Sequence, residues 1–100
     1  MPGPIAIRFL DDAETEASDA ERYYSSINPI LGLDFVDVLD SALARLRAFP
    51  EIGAPHLEGT RRLPLDRFPL NLVYTLAERE LVIVAVAHQR RLPGYWSNRL

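Results

Sequence analysis

The feature that most constrains the fold of this 100-residue chain is an unbroken apolar run, Leu81–Ala87, which ends in a polar and aromatic segment, His88–Trp96. The run is short and rich in β-branched residues, which favours a strand over a helix. We therefore predict that a rigid strand holds the polar segment at its end. Binding residues are often placed in this way, on a loop fixed by a scaffold.

The rest of the chain predicts two helices and further strands around this run. Apolar residues recur at helical spacing between residues 11 and 27 and again between 31 and 49, with Asp11 as the expected N-cap and Asn28-Pro29 as the expected break. Short strands are predicted at 5–10, 61–65 and 70–76, with a loop at 51–59. The order β-α-α-β-β-β predicts a single α+β domain over residues 1–100, in which a two-helix hairpin packs on one face of a mainly antiparallel sheet.

The apolar run conflicts with this simple arrangement. A strand with only one covered face should alternate apolar and polar residues, whereas Leu81–Ala87 does not. Either a partner chain or the chain's own C-terminal tail must cover the second face. The second helix also has a wider apolar arc than one contact face needs, because Val36 and Leu43 lie off the main stripe, on the far side of Leu39.

Composition excludes several classes of protein and site. The chain has no cysteine, so it has neither disulfides nor thiolate zinc sites, and its two histidines are too few for a convincing metal site. No metal and no cofactor are expected. No apolar run approaches the roughly 20 residues that span a bilayer, so we expect a cytoplasmic protein with no membrane partner.

Positive charge is concentrated in the second half of the chain. Residues 1–58 carry 11 acidic and 4 basic side chains, net −7, whereas residues 59–100 carry 3 and 7, net +4. Every basic residue is an arginine, and guanidinium groups pair well with phosphates and carboxylates. Tyr95 and Trp96 add planar surface suited to protein interfaces or base stacking, although Trp96 could instead be a lid on the core. No nucleophile–base pair is evident, so the residues alone indicate no catalytic group.

Four segments together resemble the RelE/ParE family of toxins from bacterial type II toxin–antitoxin pairs. They are Phe49–Gly53 (FPEIG), Arg61–Leu63 (RRL), Arg67–Tyr74 (RFPLNLVY) and Ala87–Trp96 (AHQRRLPGYW). The resemblance implies a helical hairpin on an antiparallel sheet and a cognate, ParD-like antitoxin that wraps the toxin. Such an antitoxin would cover apolar residues of the second helix and of the strand that begins at Leu81. These residues are Val36, Leu39, Leu43, Val82, Val84 and Val86.

The family implies two different targets. ParE-like members poison DNA gyrase without doing chemistry, and the target contacts would then be Arg90, Arg91, Tyr95 and Trp96. RelE-like members cut messenger RNA on the ribosome, and the candidate catalytic residues would then be Arg61, Arg67, His88, Arg90 and Tyr95. The absence of lysine and the two-helix start favour the ParE-like alternative. A third possibility is a relative without toxicity that only binds the antitoxin.

Overall fold

A computed structural model describes residues 5–100 and confirms the predicted α+β architecture. Two helices pack on a five-stranded sheet, and two short 3-10 turns, Leu57–Gly59 and Ser97–Arg99, complete the fold. The predicted loop at 51–59 contains an additional two-residue strand. The elements are β1 Ala6–Phe9, α1 Asp11–Ile27, α2 Pro29–Ala48, β2 Ala54–Pro55, β3 Arg61–Pro64, β4 Leu70–Leu76 and β5 Glu80–His88.

The sheet has the strand order β1-β5-β4-β3-β2, so the longest strand is next to one edge. β1 pairs parallel with β5, and every other pairing is antiparallel. The helical hairpin follows β1 and precedes β2 in the chain, and it packs on one face of the sheet, with α1 against β5. β1 ends at Phe9, opposite Ile83, whereas β5 continues to His88. Among residues 5–100, no strand therefore lies beside the outer edge of the last part of β5.

A single residue, Asn28, separates the two helices. Its extended backbone ends α1, and its side-chain oxygen accepts a hydrogen bond from the N–H of Ile30 at 2.9 Å, so it is the N-cap of α2. Pro29 occupies the first turn of α2, where a missing N–H costs nothing. At the other end of α1 the prediction is wrong by one residue, because Leu10 is the N-cap and Asp11 already belongs to the helix.

The main core lies between the helices and the sheet. Phe35 and Leu46 of α2 are buried against Leu72 and Tyr74 of β4 and Ile83 of β5. The ring of Tyr24 packs edge-on against Phe68 at a centroid distance of 4.7 Å, which closes the core at the hairpin end. The alanines predicted to let α1 pack closely behave as expected, since Ala13 is fully buried.

A bulge in β5 is one of two reasons why Leu81–Ala87 does not alternate between apolar and polar residues. Val73 pairs with Ala85 and Tyr74 pairs with Ile83, so Val84 is an extra residue in β5. The side chains therefore change sides at this point. Leu81, Ile83 and Val86 belong to the helix-side core, whereas Val84, Ala85 and Ala87 belong to a second apolar cluster.

The C-terminal tail covers the second face of the sheet, which is one of the two alternatives that the sequence left open. Trp96 is only 1% exposed and packs in the second cluster with Val73 and Val84. This corrects the expectation that Val82, Val84 and Val86 share a face left open for an antitoxin. The bulge separates Val86 from Val84, and residues of the same chain bury all three valines.

Candidate functional site

The polar segment after β5 is a compact turn fixed to the sheet. The N–H of Gln89 donates to the carbonyl oxygen of Pro69 at 2.9 Å, and the N–H of Arg91 donates to the carbonyl oxygen of His88 at 3.0 Å. Gly94 has a φ of +83°, a conformation that favours glycine, and it turns the chain so that Trp96 reaches the core. The turn thus holds Arg90 and Arg91 outward at the end of a rigid strand.

The side chains of Arg90 and Arg91 are exposed. Of the ion pairs found within residues 5–100, none involves either arginine. The Arg91 guanidinium lies over the ring of Tyr95, with its Cζ atom 3.9 Å from the ring centroid. This cation–π contact orients the charge without neutralising it.

A small polar cleft of about 60 Å³ lies beside this turn, on the second face of the sheet. It brings together four of the predicted site residues: His88, Arg91, Tyr95 and Trp96. Two further residues also line it, His56 before the turn Leu57–Gly59 and Arg62 on β3, and none of its lining residues is acidic. The cleft is therefore cationic.

The burial of Trp96 corrects its predicted role as a direct target contact. Its indole is enclosed by the second cluster and by His56, whose ring centroid lies 5.8 Å away. Burial and the neighbouring positive charge of Arg62 lower the pKa of His56. Trp96 is thus the lid on the core that the sequence offered as its alternative role.

The structure does not assemble the predicted nuclease residues. Arg61 donates to the carbonyl oxygens of Glu51 and Gly53 at 3.0 and 2.8 Å, so it is used to hold the loop before β2. Arg67 pairs with Asp34 of α2 at 3.3 Å. Neither lines the cleft that contains His88 and Tyr95.

Tyr95 is tied to α1 through Glu16. Its hydroxyl donates to Glu16 Oε2 at 2.6 Å, and both nitrogens of the Arg99 fork also donate to that carboxylate, at 2.8 and 3.1 Å. Burial, together with the hydrogen bond and negative charge of Glu16, raises the pKa of Tyr95 far above its ordinary value. Because general acids and bases work best with a pKa near the working pH, this tyrosine is poorly suited to proton transfer at neutral pH.

Burial alone would raise the pKa of Glu16, but the hydrogen bonds from Arg99, Tyr95 and the Val86 N–H outweigh it, and the net shift is downward. The hydrogen bond from Arg99 to Glu16 raises the pKa of Arg99 in turn. The pair is therefore ionised at neutral pH. Both side chains are mostly buried, with 15% and 18% of their surfaces exposed.

The predicted antitoxin residues on α2 differ in accessibility. Leu43 is buried in the helix-side core, which corrects the expectation that it lies on a free part of the arc. Val36 and Leu39 remain partly exposed. Ile30 and Leu33, each 67% exposed, continue toward the hairpin tip at a spacing of three residues from Val36. The accessible apolar arc of α2 thus lies nearer its N-terminus than the sequence indicated.

Three residues of this region, Glu16, His56 and Arg99, were not predicted as site residues, and Arg62 was noted only as part of the Arg61–Leu63 segment. Arg62 had a usable signal, since it directly follows Arg61 and must face the opposite side of β3. Glu16 and Arg99 had none, because they are 83 residues apart and each looks like an ordinary surface charge.

Two further kinds of feature are absent from residues 5–100. Neither helix is long and apolar enough to cross a membrane. Within the same residues, no group of three or more histidine, aspartate and glutamate side chains is placed to hold a metal ion.

The comparison with protein families is decisive for membership. Residues 7–93 match the sequence profile of the ParE toxin of the type II toxin–antitoxin system parDE. The chain belongs to the ParE toxin family. As a member of that family it is the toxin component of a type II system, and such a system implies a cognate antitoxin.

Known structures agree with this fold. A chain of the chromosomal ParDE TA system from P. aeruginosa superimposes with a TM-score of 0.73 at 19% identity, and the match covers 84% of this chain and 95% of that one. Eight chains of solved structures match in total. No curated protein matches the sequence.

Proposed function

We propose that this ParE-family protein inhibits DNA gyrase by binding it, and that a ParD-like antitoxin neutralises it in the cytoplasm. The observation that carries the proposal is the exposed pair Arg90–Arg91, which has no carboxylate partner within residues 5–100 and is held on a rigid turn. The fixed backbone of the turn reduces the entropy lost on binding, and guanidinium groups donate paired hydrogen bonds to carboxylates.

Binding fits the geometry of the site better than RNA cleavage does. Cleavage needs a base, an acid and a cluster of cations around one phosphate. Here Arg61 and Arg67 are engaged outside the cleft, and the hydroxyl proton of Tyr95 is directed to Glu16. The remaining cations suit contact with a partner surface, in which gyrase contributes its own chemistry.

The antitoxin is proposed to bind the exposed arc of α2, which comprises Ile30, Leu33, Val36 and Leu39. Contiguous exposed apolar side chains of this kind commonly mark a protein-binding surface. The arc lies on α2 and shares no residue with the Arg90–Arg91 turn, so substitutions can alter one surface while leaving the residues of the other in place. Val36→Asp should weaken antitoxin binding while the variant remains folded and active against gyrase.

Inhibition of DNA supercoiling by purified gyrase tests the target. Wild-type protein should reduce supercoiling or trap cleaved DNA, and Arg91→Ala should do so less effectively. If excess wild-type protein leaves supercoiling intact while programmed ribosomes lose their messenger RNA, the nuclease replaces the gyrase inhibitor.

Induction in bacteria tests whether toxicity is retained. Growth should stop when the toxin is expressed alone and should recover when the ParD-like antitoxin is expressed beside it. Normal growth with the toxin alone, at an expression level confirmed by immunoblot, would identify a relative that binds the antitoxin but has lost its target.

A further inference from the structure

The carboxylate of Glu16 has a complete set of hydrogen bonds. Oε1 accepts from Arg99 Nη1 at 2.8 Å and from the Val86 N–H at 3.0 Å. Oε2 accepts from the Tyr95 hydroxyl at 2.6 Å and from Arg99 Nη2 at 3.1 Å. One side chain of α1 thus joins β5, the turn residue Tyr95 and the end of the tail.

The location of this carboxylate follows from the short first strand. β1 ends opposite Ile83, so the backbone of β5 beyond that point needs other partners. Glu16 accepts from the Val86 N–H, and Arg99 Nη1 donates to the Val84 carbonyl oxygen at 3.1 Å. The ion pair takes the place of the missing strand.

The Glu16 carboxylate also holds the ring of Tyr95, over which the Arg91 guanidinium lies. The Tyr95 ring is held at its hydroxyl by Glu16, and the Arg91 Cζ lies 3.9 Å from the ring centroid. Arg99 approaches the same ring, with its Cζ at 5.2 Å, and its Nε lies 3.5 Å from Asp12. The chain of contacts therefore runs from Glu16 through Tyr95 to Arg91.

We propose that Glu16 is a positioning residue for target binding: it sets the Tyr95 ring, and through that ring the direction of the Arg91 guanidinium, without touching the target itself. This inference rests on the proposed role of Arg91 at the gyrase surface. It adds a residue of α1, far from the target contacts in sequence, to those that determine inhibition.

A double-mutant cycle distinguishes positioning from simple stabilisation. Tyr95→Phe keeps the ring and the Glu16–Arg99 pair but removes the hydroxyl bond to Glu16. We expect it to raise the concentration needed for half-inhibition of gyrase by about five-fold, on the scale of one cation–π contact. In an Arg91→Ala background it should add nothing further, whereas in an Arg90→Ala background it should add its full effect.

Equal added effects in both backgrounds would overturn the proposal, because loss of general stability does not distinguish Arg91 from Arg90. Glu16→Gln should behave as Tyr95→Phe does. Tyr95→Phe is the primary variant, since it leaves the ion pair intact if Glu16→Gln unfolds the protein. Thermal unfolding of each variant confirms that the compared proteins are folded.

Nuclear magnetic resonance of the free protein provides a readout that does not involve gyrase. The side-chain protons of Arg91 should be shifted by the ring current of Tyr95 in the wild type and should move toward random-coil values in Tyr95→Phe and Glu16→Gln. Unchanged Arg91 shifts in both folded variants would refute positioning even if gyrase is the target. If the Arg91 protons of the wild type show the ring-current shift but the wild type does not inhibit gyrase, the proposed target is wrong and the positioning of Arg91 stands.

Discussion

The Tyr74 hydroxyl accepts a hydrogen bond from the Gly53 N–H at 2.9 Å, across 21 residues of chain. The same hydroxyl donates to the carbonyl oxygen of Pro50 at 2.7 Å, so a buried residue of β4 holds the loop that follows α2. The contact is close enough that a Cβ atom at Gly53 would lie 2.7 Å from the hydroxyl oxygen. This explains why the FPEIG segment ends in glycine.

Gly53→Ala should therefore lower the free energy of unfolding by about 1–3 kcal/mol, since the ring of Tyr74 is buried and cannot move aside. Chemical denaturation measures the loss. Tyr74→Phe should cost about 1–2 kcal/mol, because it leaves two backbone groups without their partner. Tyr23→Phe is the matched control, as Tyr23 is 61% exposed, and it should change stability by less than about 0.5 kcal/mol. If Gly53→Ala is as stable as the wild type, the Tyr74 hydroxyl does not lie as close to residue 53 as the structure shows.

Trp96→Ala should destabilise the fold by about 3–5 kcal/mol, because it empties the second apolar cluster. Trp96→Phe should cost less, since it keeps part of the ring. Leu92→Ala, four residues earlier and 81% exposed, is the control and should be nearly neutral in denaturant titrations. If Trp96→Ala is as stable as the wild type but does not inhibit gyrase, the result would support Trp96 as a direct target contact, as predicted from the sequence.

Arg90→Ala and Arg91→Ala should each weaken gyrase inhibition by about ten-fold, if both arginines are hot spots of the interface. Neither should change stability by more than about 0.5 kcal/mol, because both side chains are exposed. Arg45→Ala and Arg47→Ala, at the exposed end of α2, are matched controls and should inhibit as the wild type does. If all four variants inhibit gyrase as strongly as the wild type does, the turn is not part of the target interface.

Glu16 should make the fold sensitive to acid. Its pKa in the folded protein lies below the ordinary value of 4.5, so the unfolded chain binds more protons and stability rises with pH in this range. The contribution is complete above 4.5 and is lost as the pH falls through the folded pKa. The carboxylate faces the charged Arg99 and the neutral hydroxyl of Tyr95, while Asp12 lies 3.5 Å from Arg99 and Arg91 lies over the Tyr95 ring.

Glu16→Gln should cost about 1–3 kcal/mol at pH 7 and should flatten the pH dependence of the unfolding free energy as the pH falls below 4.5. Denaturation curves at a series of pH values measure both effects. Glu14→Gln, two residues earlier on an exposed face, is the control and should keep the wild-type slope. A Glu16→Gln slope equal to that of the wild type would mean that another carboxylate causes the acid sensitivity.

Local periodicity was sufficient to predict the helices and the order of the four longer strands along the chain, because residues such as Ala13 and Phe35 are buried by elements that the same pattern specifies. The bulge at Val84 could not be predicted, since an extra residue in an apolar run leaves the composition of the run unchanged. The sequence could not show whether Trp96 contacts the target or belongs to the core. Its burial depends on the C-terminal tail, which Arg99 anchors to Glu16, 83 positions away. The sequence thus indicated the exposed pair Arg90–Arg91, whose residues are adjacent, and did not indicate the contacts in which distant residues converge.

The pairing of Glu16 with Arg99 also has a consequence for self-association. An open strand edge recruits strands from other chains, and native proteins commonly block such edges with charge. Beyond Ile83 the free edge of β5 presents the Val84 carbonyl and the Val86 N–H, and an ion pair already occupies both. A second molecule could add a strand there only by displacing two mostly buried charges, so this edge is protected against the aggregation that so apolar a strand would otherwise invite.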